Sequence, residues 1–371
     1  MNLRGYIKKF GDKSFSKYAF NNIDALIFAF LSYNNWELYA PSIDDPKDKP
    51  FCFKHIIEER IKPLTKGIPE SNHEKITLRL IAKSKRFKNC KVKFIENKTD
   101  YNKKQKYFAL TYEIPNAGNY VCFRGTDLSI LAWEENLIQS MNLVTASQED
   151  SRDYLTRVSE LIEGDFYVGG HSKGGNLAIY SSMKARIKIQ DRIIKVYSFD
   201  GTGFYTNDFY ELEKYKRIKD RVIQLIPTDS FVGVIFYTPK DYKVVGSRYL
   251  SIFQHFLFSW KINKKGEFKY KKKRSYMSYV RHRALRKWVD GADNKTKALT
   301  IDSIVTALGG SDKDLTLYLK HPGLIARSFL LLRKKFTKEE KKKIRKFTRQ
   351  LLKEYIKAYF FCLKKKNRND D

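Results

Sequence analysis

Residues 168–175 read VGGHSKGG, and within them Gly170, His171, Ser172, Lys173 and Gly174 fit the pattern G-x-S-x-G. The chemistry such a pattern serves is nucleophilic attack by a serine hydroxyl. The requirement is steric. A serine on a sharp strand-to-helix turn has a strained backbone, and Cβ atoms two residues to either side would collide with the adjoining strand and helix. Glycines there relieve the collision. The helix that follows also aims its free N–H groups at the site, where they favour a developing oxyanion. Five residues with three fixed positions form a weak pattern alone, and context strengthens it. The strand-like FYVGG stands directly before the serine, and the amphipathic NLAIYSSM directly after.

A serine nucleophile needs a base, an acid behind the base, and oxyanion donors. In α/β-hydrolases the order along the chain is serine, acid, histidine. Three histidines follow Ser172: His255, His282 and His321. His255, in SIFQHFLFSW just after the strand-like KVV, is the candidate base. His282 falls in the basic helix RHRALRKW and reads as solvated, whereas His321 precedes Pro322 and reads as a loop or cap residue. His171, inside the turn itself, reads as structural. Two aspartates can serve as the acid. Asp200 ends IIKVYSFD and opens the glycine-rich DGTGF, and Asp229 ends the next strand in LIPTDSF. Asp200 is preferred, and both retain the alternative of capping a turn. The oxyanion donors are Thr126, at the end of the strand YVCF in CFRGTDLSILAW, and the N–H of Lys173.

The elements that must carry these residues follow from hydrophobic periodicity. Ile23, Leu26, Ile27, Phe30 and Leu31 recur at helical spacing. Residues 42–105 are Lys-rich and weakly patterned, apart from a helical stretch at Ile76–Ala82. YFALTYEI and YVCFRG form a hairpin around PNAGN. A helix is expected over 129–145 and a better one over Gln148–Ile162, closed by Gly164. Then strands and helices alternate: DFYVGG, a helix over Gly174–Ile189, IIKVYSFD, a helix over Asp208–Arg217, RVIQLIP and KDYKVVGS. That alternation predicts an α/β-hydrolase with a mostly parallel sheet and helices on both faces. After Trp260 the composition changes. Residues 261–274 (KINKKGEFKYKKKR) are strongly basic, and helices are expected over 277–290, 295–308, 323–335 and 337–364. The expected domains are therefore 1–260, the hydrolase, and 261–371, a basic helical extension.

These residues resemble the class 3 (fungal-type) lipases, in which an F-R-G-T/S segment with a Trp several residues on supplies the oxyanion hole. Here it reads FRGTDLSILAW, with Trp133. The chain is similar more closely still to a bacterial family of lipase-like α/β-hydrolases marked by FNxxDxLIxxxLSY, FRGTD, GGHSKGGNLAxY, FDGxGF and QHxxFSW. Its own versions are FNNIDALIFAFLSY, FRGTD, GGHSKGGNLAIY, FDGTGF and QHFLFSW, so the resemblance runs from about residue 15 to residue 260. It implies Ser172 as nucleophile, His255 as base, and Thr126 with Lys173 at the oxyanion hole. SFDGTGF also looks like the acid-bearing turn of the pancreatic-type lipases, which favours Asp200. Class 3 lipases carry their acid one strand later, which would favour Asp229. One position departs from the pattern: Phe256 stands where the family usually has Asp.

Composition bounds the partners. The 371 residues carry 73 Lys and Arg against 41 Asp and Glu, a formal charge of +32. Such a chain is drawn to anionic surfaces, whether lipid headgroups or nucleic acid. The four cysteines lie far apart, with no CxxC pair, and no GxxxxGK, HExxH or EF-hand pattern occurs, so no cofactor or metal is called for. The apolar windows Ala25–Tyr33 and Leu324–Leu332 are too short to cross a bilayer, which needs about 20 residues. A cytoplasmic protein, peripheral at a membrane, is the expectation. The leading function is a serine esterase acting on lipid or other acyl esters, with Phe231–Tyr237 as an apolar lid candidate. The alternative is a weakly catalytic or non-catalytic protein whose basic helices, such as Lys338–Lys353, bind anionic membrane or nucleic acid. Nucleic acid is the less favoured of the two.

Overall fold

The computed structural model describes residues 1–68, 71–127, 129–141, 144–206, 208–238, 241–313 and 335–367. They are organised by a nine-stranded sheet whose strands lie side by side in chain order. The strands are β1 (Phe51–Cys52), β2 (Lys91–Asp100), β3 (Gln105–Ile114), β4 (Gly118–Phe123), β5 (Phe166–His171), β6 (Ile193–Phe199), β7 (Val222–Pro227), β8 (Lys243–Val245) and β9 (Tyr270–Lys271). Strands β4 to β8 run parallel. The pairs β1/β2, β2/β3, β3/β4 and β8/β9 are antiparallel.

This overturns the expected mostly parallel α/β-hydrolase sheet: four of the eight pairings are antiparallel and the sheet is mixed. The expectation failed at strands whose sequence hides them. β2 carries a bulge between Lys93 and Glu96, with Phe94 at φ 57°, so its apolar and polar residues do not alternate cleanly. β9 lies within the basic run 261–274, which looks like a solvated linker. That run instead buries Ile262 and Phe268 in the core.

The hairpin β3/β4 turns through Asn116 at φ 61° and Gly118 at φ 85°, as PNAGN suggests. In β4, Tyr120 and Cys122 belong to one hydrophobic cluster and Val121 and Phe123 to the other, the period-two alternation of a strand covered on both faces. Parallel strands in sequential order with right-handed crossovers send every crossover to the same face. The helices Ala146–Leu161 and Lys173–Lys184 pack together on that face. The opposite face is covered by the early helix Asn22–Leu31, capped by Asn21 with Asp24 reciprocating, and buried from Ile23 through Leu31. Its end matters for the site. The carbonyls of Ser32 and Asn34 accept from Arg124 at 2.6 Å each, and this ties the FRGTD loop to the helix.

After the sheet come the helices Tyr276–Asp290, Asn294–Ala307 and Lys338–Asn367. The first is anchored on the loop after β7. Ser278 Oγ donates to the Ser230 carbonyl at 3.0 Å, and Ser275 N–H to that of Thr228 at 2.7 Å. His282 is not solvated as its sequence suggests: its Nδ1 lies 2.6 Å from the Val234 carbonyl. Residues 323–334 of the third expected C-terminal helix (323–335), and His321, lie outside the described residues. No helix among the described residues is long and apolar enough to cross a membrane.

Candidate active site

Ser172 sits between β5 and the helix Lys173–Lys184 with φ 58° and ψ −128°, a conformation that costs on the order of 1–3 kcal/mol outside glycine. The flanking glycines explain how it is tolerated. A Cβ on Gly170 would lie 2.4 Å from the Gly174 backbone, and one on Gly174 would lie 2.0 Å from the Phe123 carbonyl oxygen. The Ser172 N–H donates to the Phe199 carbonyl at 3.0 Å, pinning the turn to the end of β6. One turn into the helix, Asn176 Nδ2 donates to the carbonyls of Thr202 at 3.2 Å and Gly203 at 3.0 Å. The Ser172 turn is thereby locked to the Asp200 turn. Sequence reasoning missed Asn176, although it stands in the quoted GGN.

The Asp200 turn reaches His255. Asp200 Oδ2 lies 2.7 Å from His255 Nδ1, with the carboxylate fully buried and the imidazole 19% exposed. The other carboxylate oxygen accepts from Ser230 Oγ at 2.6 Å and from the Gly233 N–H at 3.0 Å. These two donors were not anticipated, and nothing in their sequence context announces them. Asp229 is placed differently. Its carboxylate is taken by Arg281 and by the Ser275 hydroxyl, and it makes no contact with His255. Its N–H donates to Gln254 Oε1 at 2.7 Å, so this residue holds the backbone just before the histidine.

His171 also bears on His255. Its Nε2 lies 3.0 Å from the His255 carbonyl oxygen, its Nδ1 lies 2.8 Å from the Tyr33 hydroxyl, and the two imidazole centroids are 4.3 Å apart. Burial holds its pKa well below the ordinary histidine value, with repulsion from His255 adding to the effect. The neutral ring therefore donates from Nε2 to the His255 backbone and accepts from Tyr33 at Nδ1.

The FRGTD loop closes the other side. A Cβ on Gly125 would lie 2.1 Å from the Tyr33 hydroxyl, 2.5 Å from the His171 carbonyl oxygen and 3.1 Å from Ser172 Cβ. Only glycine lets this loop approach the serine so closely. Thr126 Oγ1 accepts from Asn136 Nδ2 at 2.7 Å, which leaves its hydroxyl proton free to point elsewhere. Lys173 is the first residue of its helix, so its N–H has no acceptor within that helix. Its side chain turns inward. The ammonium donates to Glu135 Oε2 at 2.8 Å and to the Lys106 carbonyl, with Lys173 and Glu135 each 1% exposed. This buried pair fixes the helix Ile130–Ile138, which carries Trp133 and Asn136.

Ser172, His255, His171, Thr126 and Thr202 share a cavity of about 570 Å³. Its walls are mostly apolar. Phe231, Val232, Ile235 and Phe236, from the segment expected as a lid, form one side, and Ile252, Phe253 and Phe256 another. Phe256 thus spends its side chain on the cavity wall rather than on a polar contact to the histidine. A further wall comes from the three C-terminal helices, through Leu285, Trp288, Val289, Ile301, Ile304 and Phe347. Phe30, Ile68, Trp133 and Leu137 also belong to the lining. A cavity of this size suits a small ligand with a large apolar part. Among the described residues no group of three or more His, Cys, Asp or Glu is placed to hold a metal ion.

The Mbeg1-like family matches residues 81–306, more than half of the chain. This chain belongs to the Mbeg1-like family. That family is lipase-like, in keeping with the lipase resemblance of the motifs. The Mbeg1-like region contains Thr126, Ser172, Lys173, Asp200, Asp229 and His255 and ends within the helix Asn294–Ala307. The helix Lys338–Asn367 lies beyond it. No curated protein matches the chain.

Proposed function

We propose that this Mbeg1-like protein is a serine hydrolase that cleaves carboxylic esters with an apolar acyl part, by way of an acyl-enzyme on Ser172. Ser172 Oγ attacks the ester carbonyl as His255 Nε2 takes its proton. Asp200 holds the Nδ1–H and stabilises the imidazolium that forms. The oxyanion of the tetrahedral intermediate is met by the Lys173 N–H and by Thr126. Collapse of the intermediate expels the alcohol, which takes its proton from His255 Nε2. A water then deprotonated by the same nitrogen attacks the acyl-enzyme and frees the acid and Ser172. In this reading Ser172 is a nucleophile elbow, and the FRGTD loop does what the F-R-G-T/S segment does in class 3 lipases.

The observation that carries the reading is the 2.7 Å pairing of His255 with the buried Asp200 in the same cavity as a serine held at φ 58°. Among the described residues neither Ser172 Oγ nor His255 Nε2 makes a hydrogen bond, to each other or to a third group, and both residues line the cavity, so both atoms are open to substrate. The apolar walls favour an acyl chain over a polar substrate. Labelling with a fluorophosphonate probe tests the proposal: wild type should react, and Ser172→Ala and His255→Ala should not. Folded wild-type protein that fails to react would refute it.

A further inference from the structure

The helix Lys338–Asn367 carries two apolar stripes where a surface helix of a globular protein needs one. The inward stripe is used. Phe347 and Ala358 are buried, and the Phe347 ring stacks on Trp288 at 4.4 Å between centroids. Val280, Ala284 and Ala358 close a small cluster against the helix Tyr276–Asp290. The outward stripe is Leu352, Ile356 and Phe360, each four residues from the next, and they stand 65%, 49% and 57% exposed. Exposed Arg349, Lys353 and Lys357 run alongside. The whole helix has 12 Lys and Arg against 3 Glu. An unburied apolar stripe flanked by cations is the pattern of a helix lying in the headgroup region of a membrane.

A second segment repeats the pattern independently. In Arg248–Phe253, Tyr249, Leu250, Ile252 and Phe253 are exposed, Leu250 at 81%. Ile252 and Phe253 also line the cavity that holds Ser172, as does Phe347 of the basic helix. Both of these elements thus border the same cavity.

We propose that Lys338–Asn367 and Tyr249–Phe253 dock the protein on an anionic lipid surface, with the cavity adjoining that surface. Complementary charge selects the surface, and the Leu352–Ile356–Phe360 stripe enters it. Nucleic acid shares the phosphate chemistry but fits less well, because its interfaces are polar and have no place for an aliphatic stripe. Docking concerns a surface apart from Ser172, so it goes beyond the hydrolase reading.

The test is co-sedimentation of the full chain with phosphatidylglycerol-containing vesicles, with pure phosphatidylcholine vesicles for comparison. Wild type should bind the anionic vesicles preferentially, and binding should weaken as salt rises. The charge-neutral variant Leu352→Gln/Ile356→Gln/Phe360→Gln should lose about tenfold or more in binding, with unchanged hydrolysis of a short soluble ester. Leu250→Gln should lose less. Ser172→Ala should bind like wild type, which separates failure of docking from failure of the hydrolase reading. Three results would overturn the proposal: no binding by wild type, equal binding by the triple-Gln variant, or tighter binding to duplex DNA than to the vesicles at the same salt.

Discussion

Asp200→Asn is the change whose consequence the hydrogen bonds define most closely. Asp200 Oδ1 faces two donors, Ser230 Oγ at 2.6 Å and the Gly233 N–H at 3.0 Å. An asparagine must keep its carbonyl oxygen there. Its amide nitrogen then takes the place of Oδ2, 2.7 Å from His255 Nδ1, and presents a donor to the ring. The imidazole answers by accepting at Nδ1 and carrying its proton on Nε2, the atom that should receive the serine proton. In the serine-protease triad the same change lowers the rate about 10⁴-fold, or roughly 5.4 kcal/mol at about 1.36 kcal/mol per decade. Two of the three hydrogen bonds survive, so folding should lose only about 1–3 kcal/mol. The assay is the second-order rate of fluorophosphonate labelling, with circular dichroism as a check on folding. Asp229→Asn is the comparison: it disturbs the contact with Arg281 and should change labelling only a few-fold. A folded Asp200→Asn that keeps more than a tenth of the wild-type rate, or an Asp229→Asn that falls by orders of magnitude, would refute the assignment.

Gly125→Ala places a methyl group 2.1 Å from the Tyr33 hydroxyl and 2.5 Å from the His171 carbonyl oxygen. It should cost about 1–3 kcal/mol of stability and slow labelling, and a thermal melt matching wild type would contradict the close approach. Lys173→Met leaves Glu135 as an unpaired buried charge, for about 3–5 kcal/mol, and adding Glu135→Leu should recover much of that. Chemical denaturation checks it, and a single-variant cost below about 1 kcal/mol would mean the pair is solvated. His171 has a depressed pKa when folded, so below its ordinary value near 6.5 the unfolded chain binds the extra proton. Stability should fall with pH from about 6.5 downward to the folded pKa, by up to about 1.4 kcal/mol per pH unit. His171→Asn should flatten that slope, leaving a remainder from His73 and His282, whose pKa values burial also lowers. An unchanged slope would place the titration elsewhere.

What could be read in the sequence is what lies at strand ends. Ser172, Asp200 and Thr126 follow β5, β6 and β4, and each is announced by glycines that permit close approach. Gly125 against Tyr33 and Gly201 against Ser198 show why: a Cβ at either would come within 2.5 Å of a neighbouring oxygen. The sheet was less legible, because a bulged strand such as β2 loses the alternation that identifies strands, and a two-residue edge strand such as β9 never had it. Some side chains that act through contacts distant in sequence left no signal. Glu135 was an unremarkable acid in a helix until Lys173, 38 residues on, turned inward to meet it.

The C-terminal helices Tyr276–Asp290, Asn294–Ala307 and Lys338–Asn367 were expected from the sequence, and what stayed hidden was their inner face. The longest of them, Lys338–Asn367, is rich in Lys and Arg, and charge runs usually mark a solvated face. Here Trp288, Ile301, Ile304 and Phe347 build the wall of the cavity from within, with Arg286 and Lys297 beside them, while Arg349, Lys353 and Lys357 lie on the outer side. The long basic helix therefore touches both the cavity beside Ser172 and the solvent where an anionic surface would approach. A change on its outer stripe should alter where the protein acts, whereas a change at Phe347 should alter what the cavity accepts. Phe347→Ala would remove the partner of the Trp288 ring and enlarge the cavity, at about 3–5 kcal/mol if the helices do not collapse to fill it. Among variants that stay folded, a shifted preference among ester chain lengths with an unchanged labelling rate would place Phe347 in the substrate wall. An unchanged chain-length preference would confine it to holding the helices together.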